Sequence, residues 1–276
     1  LIKLQGFDMR NPFMGIQFEK TEKEPQIITW EEFKALLEKV DEYREDSLQI
    51  NNKGESRDMY FPWLKQAFRL SIFTGLRRGE IPYLKFVDII LSKDNSLEGG
   101  FIRVLDYKVT QIQKKGTKHK YVEINQDLEE LIIELGFEDL YNSGNTNMYI
   151  IAPDDIWSRK HIKEYLSKCF SFYIKKLELN RNLTFSSLRS TYATNLAKTV
   201  GVEMAAVMTG HSGIKIMHDH YLNRMELSST KNQFKRVFEE NSDEQLPKTS
   251  SKLNIKKGLK RPFRPPVSVL HRDKNG

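Results

Sequence analysis

The spacing of apolar residues along the chain predicts a mainly helical protein. Thr29 and Glu32 form a T-x-x-E capping box ahead of an amphipathic stretch, which predicts a helix over residues 30–43. A second apolar stretch predicts a helix over residues 61–73 that stops at Gly75. Helical patterns return later in the chain, over residues 127–135, 158–179, 187–199, 202–209 and 226–240.

Between these helical stretches, residues 86–124 have a different pattern. Val, Ile and Tyr alternate there with polar residues, and turn signals occur at Asn95, at Gly99 and at Lys115-Gly116. This pattern predicts a small three-stranded antiparallel sheet whose last strand covers residues 120–124. The polar segment 46–58 predicts an exposed loop. The fold class expected is α+β, mainly α.

The chain divides into three parts by composition. Residues 19–25 are charged and turn-rich, which is typical of a connection between domains. We therefore assign residues 1–24 to the end of a preceding domain with its linker, and residues 25–240 to one globular domain. Residues 241–276 are rich in Lys, Pro and Ser, and we expect this basic tail to be disordered.

The apolar stretches are too short to span a bilayer, and the first residues lack the pattern of a signal peptide. The single cysteine, Cys169, cannot form an internal disulfide and lies in an amphipathic run, where a buried thiol is expected. These observations predict a cytoplasmic protein without a membrane partner.

The net charge of +7 favours an acidic partner only weakly, because of where the charge lies. Residues 241–276 hold nine basic and three acidic residues, which leaves 35 basic against 34 acidic residues in the rest of the chain. The globular part is therefore nearly neutral, and its partner must be inferred from motifs.

No motif for a metal or a cofactor occurs in the sequence: there is no P-loop, no GxGxxG after a strand, no CxxC and no HExxH. His211, His218 and His220 lie close together, but only Asp219 accompanies them as a further ligand type. We therefore predict that the protein uses neither a metal ion nor an organic cofactor.

Five short segments instead carry cationic residues, and the last of them carries a tyrosine beside a histidine. In chain order they are TGLRRGE at 74–80, KKGTK at 114–118, TFSSLRSTYAT at 184–194, GHS at 210–212 and HYL at 220–222. In this order the segments resemble the motifs of the tyrosine recombinase or phage-type integrase family, and the resemblance runs from about Asn11 to Glu240. It implies the catalytic fold of that family for residues 25–240 and the end of a core-binding domain for residues 1–24.

The resemblance also implies an enzyme that performs site-specific DNA recombination or integration, for a mobile element, through a 3′-phosphotyrosine intermediate. Its partners would be double-stranded recombination sites, on which the protein would act as a homotetramer. Arg77 and Arg189 would hold the scissile phosphate, with Lys115 and His211 nearby, and Tyr221 would be the nucleophile. These residue types suit DNA cleavage, because positioned cations stabilise the negative charge of a phosphoryl-transfer transition state without a divalent metal.

One position departs from the family pattern. Ser186 stands three residues before Arg189, where a histidine is common; a serine can donate a hydrogen bond but cannot carry charge near neutral pH. The lysine assignment also leaves alternatives, because Lys114 and Lys118 share the predicted turn with Lys115. Two other functions remain open: a noncatalytic DNA-binding regulator on the same scaffold, and DNA relaxation like that of a type IB topoisomerase.

Overall fold

The computed structural model describes residues 24–50, 54–106, 119–154, 156–209 and 237. These residues form seven α-helices and five β-strands, so the chain is mainly helical with small antiparallel sheets, as the sequence predicts. The helices are α1 (Trp30–Glu42), α2 (Leu64–Thr74), α3 (Gln126–Glu134), α4 (Phe137–Ser143), α5 (Arg159–Lys175), α6 (Phe185–Val200) and α7 (Val202–Met208). The strands are β1 (Leu48–Ile50), β2 (Ser56–Asp58), β3 (Ile89–Ile90), β4 (Phe101–Leu105) and β5 (His119–Glu123).

The capping box predicted for α1 is present. The Thr29 backbone N–H donates to Glu32 Oε2 over 2.9 Å, and the Glu32 N–H donates to the Thr29 hydroxyl over 3.3 Å. Phe33, Leu36 and Val40 then recur on one face of the helix and are fully buried. Local capping and the apolar stripe together fix the beginning of α1 at the predicted place.

Helix α2 lies at the centre of the fold and packs against α6. It begins at Leu64, later than predicted, and the preceding Phe61 and Trp63 form a ring stack with centroids 4.9 Å apart. It ends at Gly75, as predicted, where the backbone adopts φ +60 in the left-handed region. The Tyr192 ring of α6 lies directly over Gly75, so that a Cβ added there would be 2.2 Å from Tyr192 Cδ1.

This close approach gives a testable prediction for Gly75→Ala. We expect the substitution to lower the free energy of unfolding by about 1–2 kcal/mol for left-handed backbone and about 1–3 kcal/mol more for the clash with Tyr192. Gly136→Ala is the matched control, because Gly136 also has a positive φ, +77, but nothing lies within 4 Å of the added Cβ. Urea denaturation measures both; equal losses in the two variants would contradict the packing that we describe.

Strands β3, β4 and β5 form the predicted three-stranded antiparallel sheet, in that order. Strand β5 begins at His119 and pairs with β4 so that Val122 lies opposite Ile102, and both side chains are buried. Residues 107–118, between β4 and β5, lie outside the described residues, and Lys114, Lys115 and Lys118 are among them. The sheet positions the strand that follows the predicted lysine turn.

Three further local features differ from the predictions. The segment 46–58 is not simply a loop, because β1 and β2 form an exposed antiparallel pair in which Leu48 lies opposite Asp58. Helix α4 is absent from the predicted elements; it begins after Gly136 and ends before Gly144, both with positive φ, and it buries Phe137. Helix α5 also ends earlier than expected, at Lys175.

Several predictions fall outside the described residues: the linker up to residue 23, the helix over 226–240 apart from Val237, and the tail over 241–276. Among the helices that are described, none is both long and apolar enough to cross a membrane.

Candidate functional site

Arg77 lies just after the end of α2 and is anchored by Glu80. The Arg77 backbone N–H donates to Glu80 Oε2 over 2.8 Å, and Arg77 Nη1 donates to Glu80 Oε1 over 3.3 Å. The Arg77 side chain is 29% exposed, whereas the Glu80 side chain is only 2% exposed. The arginine is therefore half-buried above a buried carboxylate, with part of its side chain facing solvent.

Arg189 lies on α6 and is almost fully buried. Its Nη1 donates to the Gly75 carbonyl, and its Nη2 donates to the Thr209 carbonyl over 3.0 Å. A buried guanidinium requires such acceptors, since an unpaired charge in the interior is costly. Arg189 thus joins the end of α2 to the residue that follows α7. Because Gly75 is two residues before Arg77, both arginines lie at the same end of α2.

Ser186 lies in the first turn of α6, three residues before Arg189. Its side chain is exposed, and its hydroxyl is 2.7 Å from the hydroxyl of Thr184. Backbone N–H groups at the beginning of a helix have no partner within the helix, and the helix dipole favours negative charge there. Ser186 therefore combines a hydroxyl donor with the anion-favouring end of α6.

Lys120 of β5 is part of the same cluster, although it is absent from the site residues that the motifs predict. Its Nζ donates to Glu80 Oε2 over 2.7 Å, and its side chain is 10% exposed. Burial lowers the pKa of Lys120 from 10.5 to about 8; the Glu80 carboxylate opposes this shift, whereas Arg189 and Arg77 add to it. Four charged groups from three parts of the chain therefore meet here: Arg77, Glu80, Lys120 and Arg189.

The alternation of β5 contains a signal that could have identified Lys120. Tyr121 and Glu123 are exposed, while Val122 is buried, so Lys120 shares the inward-facing side of the strand with Val122. A lysine at an inward position needs a carboxylate partner. The motif that contains Arg77 also contains Glu80, which is that partner.

The structure brings some of the predicted site residues together and leaves others outside its description. Arg77 and Arg189 meet at the end of α2, and Ser186 begins the helix that carries Arg189. Lys115, His211 and Tyr221 lie outside the described residues. In the sequence, Lys115 precedes β5 and His211 follows Thr209. Lys120 of β5 contacts Glu80, and the Thr209 carbonyl accepts a hydrogen bond from Arg189, so both neighbouring segments reach the site.

A basic surface lies beside Arg77. Arg78 is exposed and donates from Nη1 to the Ser167 hydroxyl of α5 over 2.8 Å, and Lys163 of α5 lies against Gly79. Lys160, on the first turn of α5, is exposed. Basic side chains of α5 and the TGLRRGE segment thus extend the positive charge of the site across the surface.

The described residues hold neither a cluster for a metal ion nor a reactive thiol. No group of three or more His, Cys, Asp or Glu side chains there is arranged to hold a metal ion. Cys169 is buried in α5, as predicted, and burial raises the pKa of its thiol to about 12. A thiol with so high a pKa does not provide a thiolate nucleophile near neutral pH.

Comparison with known proteins places the chain in a family. The model of the phage integrase family matches residues 26–227, which is most of the chain. Comparison with curated protein sequences gave no significant match. The chain therefore belongs to the phage integrase family, the family of the tyrosine recombinases.

Solved structures of lambda integrase share the fold at low sequence identity. A lambda integrase dimer bound to a COC′ core site is similar with a TM-score of 0.51 and 18% identity, over 85% of this chain and 58% of that chain. A second lambda integrase dimer on a COC′ core site gives 0.50 and 17%, over 78% and 68%. A XerH site-specific recombinase bound to a palindromic difH substrate gives 0.47 and 21%, over 77% and 54%. The chain spans less than two thirds of the lambda integrase chain in the first of these structures.

Proposed function

We propose that the protein is a DNA strand transferase that performs site-specific recombination in the cytoplasm, on behalf of a mobile element. The observation that carries this proposal is the meeting of Arg77 and Arg189, with Lys120, at one end of α2. Two arginines offer forked, permanently charged donors that suit the nonbridging oxygens of a phosphate. Membership of the phage integrase family supports the same reaction.

In the proposed reaction, the ionised oxygen of Tyr221, whose proton has passed to solvent, attacks the phosphorus of a DNA phosphodiester. The bond to the 5′ oxygen breaks, and Lys115 donates a proton to that leaving oxygen as general acid. The products are a 3′-phosphotyrosine and a free 5′ hydroxyl. The reverse reaction with a 5′ hydroxyl of another strand restores a phosphodiester, and no external energy source is needed because the ester bond energy is retained.

The positive charge of the site would act on both the phosphate and the nucleophile. Arg77 and Arg189 would stabilise the negative charge of the transition state, with His211 and the Ser186 hydroxyl as further donors. The same positive charge favours the ionised form of the attacking tyrosine. Tyr192, which also lies near Arg189, is unsuited to that role, because complete burial raises its pKa well above the usual value.

The DNA would lie across the basic surface formed by Arg78, Lys160 and Lys163, which would contact backbone phosphates. By analogy with the lambda integrase dimer bound to its core site, we propose that several protomers assemble on double-stranded recombination sites, as a tetramer when two duplexes are joined. Residues 1–24 would be the end of a core-binding domain that contacts the same DNA.

Covalent capture tests this function even though the target sequence is unidentified. The full-length protein is incubated with a library of end-labelled, nicked duplexes of randomised sequence, and the products are separated on a denaturing gel. We expect labelled DNA to migrate with the protein and the captured DNA to share a common sequence. Sequence-specific binding without any covalent adduct would support the noncatalytic regulator instead. Relaxation of supercoiled plasmid by a monomer would support the topoisomerase.

Ser186→His tests the position at which the chain departs from its family. Because Ser186 is exposed, we expect the histidine to change the free energy of unfolding by less than about 0.5 kcal/mol. The rate of adduct formation should be similar or higher, since imidazole donates a hydrogen bond as the hydroxyl does and can also carry charge. A large loss of adduct in a variant with an unchanged melting temperature would show that the site is built around the serine.

A further inference from the structure

The Glu80 carboxylate is shared between Arg77 and Lys120. Its Oε2 accepts from the Arg77 backbone N–H over 2.8 Å and from Lys120 Nζ over 2.7 Å. Its Oε1 accepts from the Arg77 guanidinium over a longer distance, 3.3 Å. The Glu80 side chain is 2% exposed, so water compensates little of its charge. A buried carboxylate must be balanced by cations, and the shorter of its two contacts with cationic groups is that with Lys120.

The balance of charge at this place depends on Lys120. Arg77, Arg189 and Lys120 are positive and Glu80 is negative, so the cluster has an excess of two positive charges when the lysine is protonated. Without the lysine charge, Glu80 would have Arg77 as its nearest cation, and the net charge facing an incoming phosphate would fall by one. Coulombic interactions of this kind are strong where water is excluded.

We propose that Lys120 is a positioning residue that neutralises Glu80 and thereby keeps the charge and the guanidinium of Arg77 available for a DNA phosphate. Lys120 acts through Glu80, and it also joins β5, the strand that follows the predicted lysine turn, to the segment that carries Arg77. The proposal rests on the proposed function, because it assumes that Arg77 binds phosphate.

The protonation of Lys120 gives the proposal a pH dependence. The charged groups that act on Lys120 are Glu80, Arg77 and Arg189, and burial is the largest cause of its lowered pKa, about 8. Lys120 is therefore positive below about pH 8 and loses its charge as the pH rises through that value. Its contribution to cleavage should disappear over the same range. An arginine at this position would remain charged throughout.

Three variants, with one control, separate a charge effect from a merely structural one. We expect Lys120→Met to slow adduct formation about 10-fold to 100-fold, the size expected when an electrostatic contribution in a site is lost. Lys120→Met combined with Glu80→Gln removes both charges, restores the excess of two, and should recover most of the rate. Lys120→Arg should keep the rate below pH 8 and lose less of it than the unmodified protein above pH 8.

The matched control is Lys65→Met. Lys65 also donates to a carboxylate over 2.6 Å, that of Asp41, but the pair is exposed and belongs to α1 and α2 away from the arginines. We expect no change in rate for this variant. Circular dichroism melts show for each protein that it is folded at the assay temperature, so that a rate change is not a loss of fold.

A second measurement, of DNA binding rather than cleavage, distinguishes failure of the proposed function from failure of the Lys120 proposal. Binding of a labelled duplex is measured by fluorescence anisotropy at several salt concentrations, and we expect Lys120→Met to lower the magnitude of the salt slope by about 1 and the double variant to restore it. If the unmodified protein forms no adduct, the proposed function fails while the binding series still tests Lys120. Unchanged rate and binding in Lys120→Met, or a double variant no better than Lys120→Met, would overturn the proposal.

Discussion

Replacing Tyr221 by phenylalanine is expected to abolish the covalent protein–DNA adduct completely. The substitution removes one oxygen atom, and in the proposed reaction that atom forms the bond to phosphorus. A hydrogen-bond donor or a cation cannot replace a missing covalent nucleophile, so the loss should be total rather than partial. The measurement is the denaturing gel of the capture experiment, with binding of the same duplex measured in parallel.

Tyr83→Phe is the matched control for this prediction. Tyr83 is 49% exposed and lies three residues after Glu80, so it resembles a surface tyrosine near the site that has no part in the proposed reaction. Its variant should form adduct as the unmodified protein does. Tyr221→Phe should still bind DNA with little change in affinity, because it retains the cationic groups. An adduct that persists in Tyr221→Phe would refute the assignment of the nucleophile.

The second large effect is expected for Arg189→Ala. The change removes one of the two proposed phosphate ligands, and the loss of such a transition-state contact should slow cleavage by about 10³-fold or more. It also leaves the carbonyls of Gly75 and Thr209 without the donors that Arg189 provides. Each buried group left unsatisfied costs about 1–3 kcal/mol, so the melting temperature should fall as well.

The effects of Arg189→Ala on stability and on catalysis can be separated with Arg159→Ala. Arg159 is a second buried arginine, and it donates to the carbonyls of Ile151 and Ala152 over 2.7 and 2.9 Å. Its replacement should destabilise the fold to a similar extent. At a temperature where both variants are folded, however, Arg159→Ala should retain cleavage. Equal loss of cleavage in both variants would indicate that Arg189 acts only by supporting the fold.

Much of the fold could be predicted because local signals and burial agree. The capping box at Thr29 and the left-handed Gly75 define helix ends by interactions within a few residues. The alternation in β5 likewise reflects one buried face. In each case the sequence near the element carries the signal that predicts it.

The elements that were missed lack such a local signal. Strands β1 and β2 have only three residues each, and the apolar Leu48 and Ile50 of β1 are exposed, so no buried face marks either strand in the sequence. Helix α4 has only seven residues between two glycines, which is too short for a helical period to be recognised. Both elements depend on pairing and packing with residues elsewhere in the chain.

The residues of the candidate site also divide into those that sequence motifs identify and those that they do not. Arg77 and Arg189 could be chosen from the order of their motifs, although the two motifs lie far apart in the sequence. Motif order does not identify Lys120: the alternation of β5 marks it only as inward-facing, and its role depends on a contact with Glu80, 40 residues earlier in the chain. A basic residue in a strand looks like an ordinary surface lysine until its burial and its partner are known. Burial and charge pairing, rather than motif order, identify it.

Mass spectrometry of the captured adduct identifies the residue that becomes joined to the 3′ phosphate of the cleaved DNA strand. The adduct is digested with nuclease and protease, and the peptide that carries the nucleotide remnant is fragmented to locate the modified residue. We predict a phosphate linked to Tyr221, together with a free 5′ hydroxyl on the released DNA end. A remnant on any other residue, or a 5′ phosphate linkage, would contradict the mechanism.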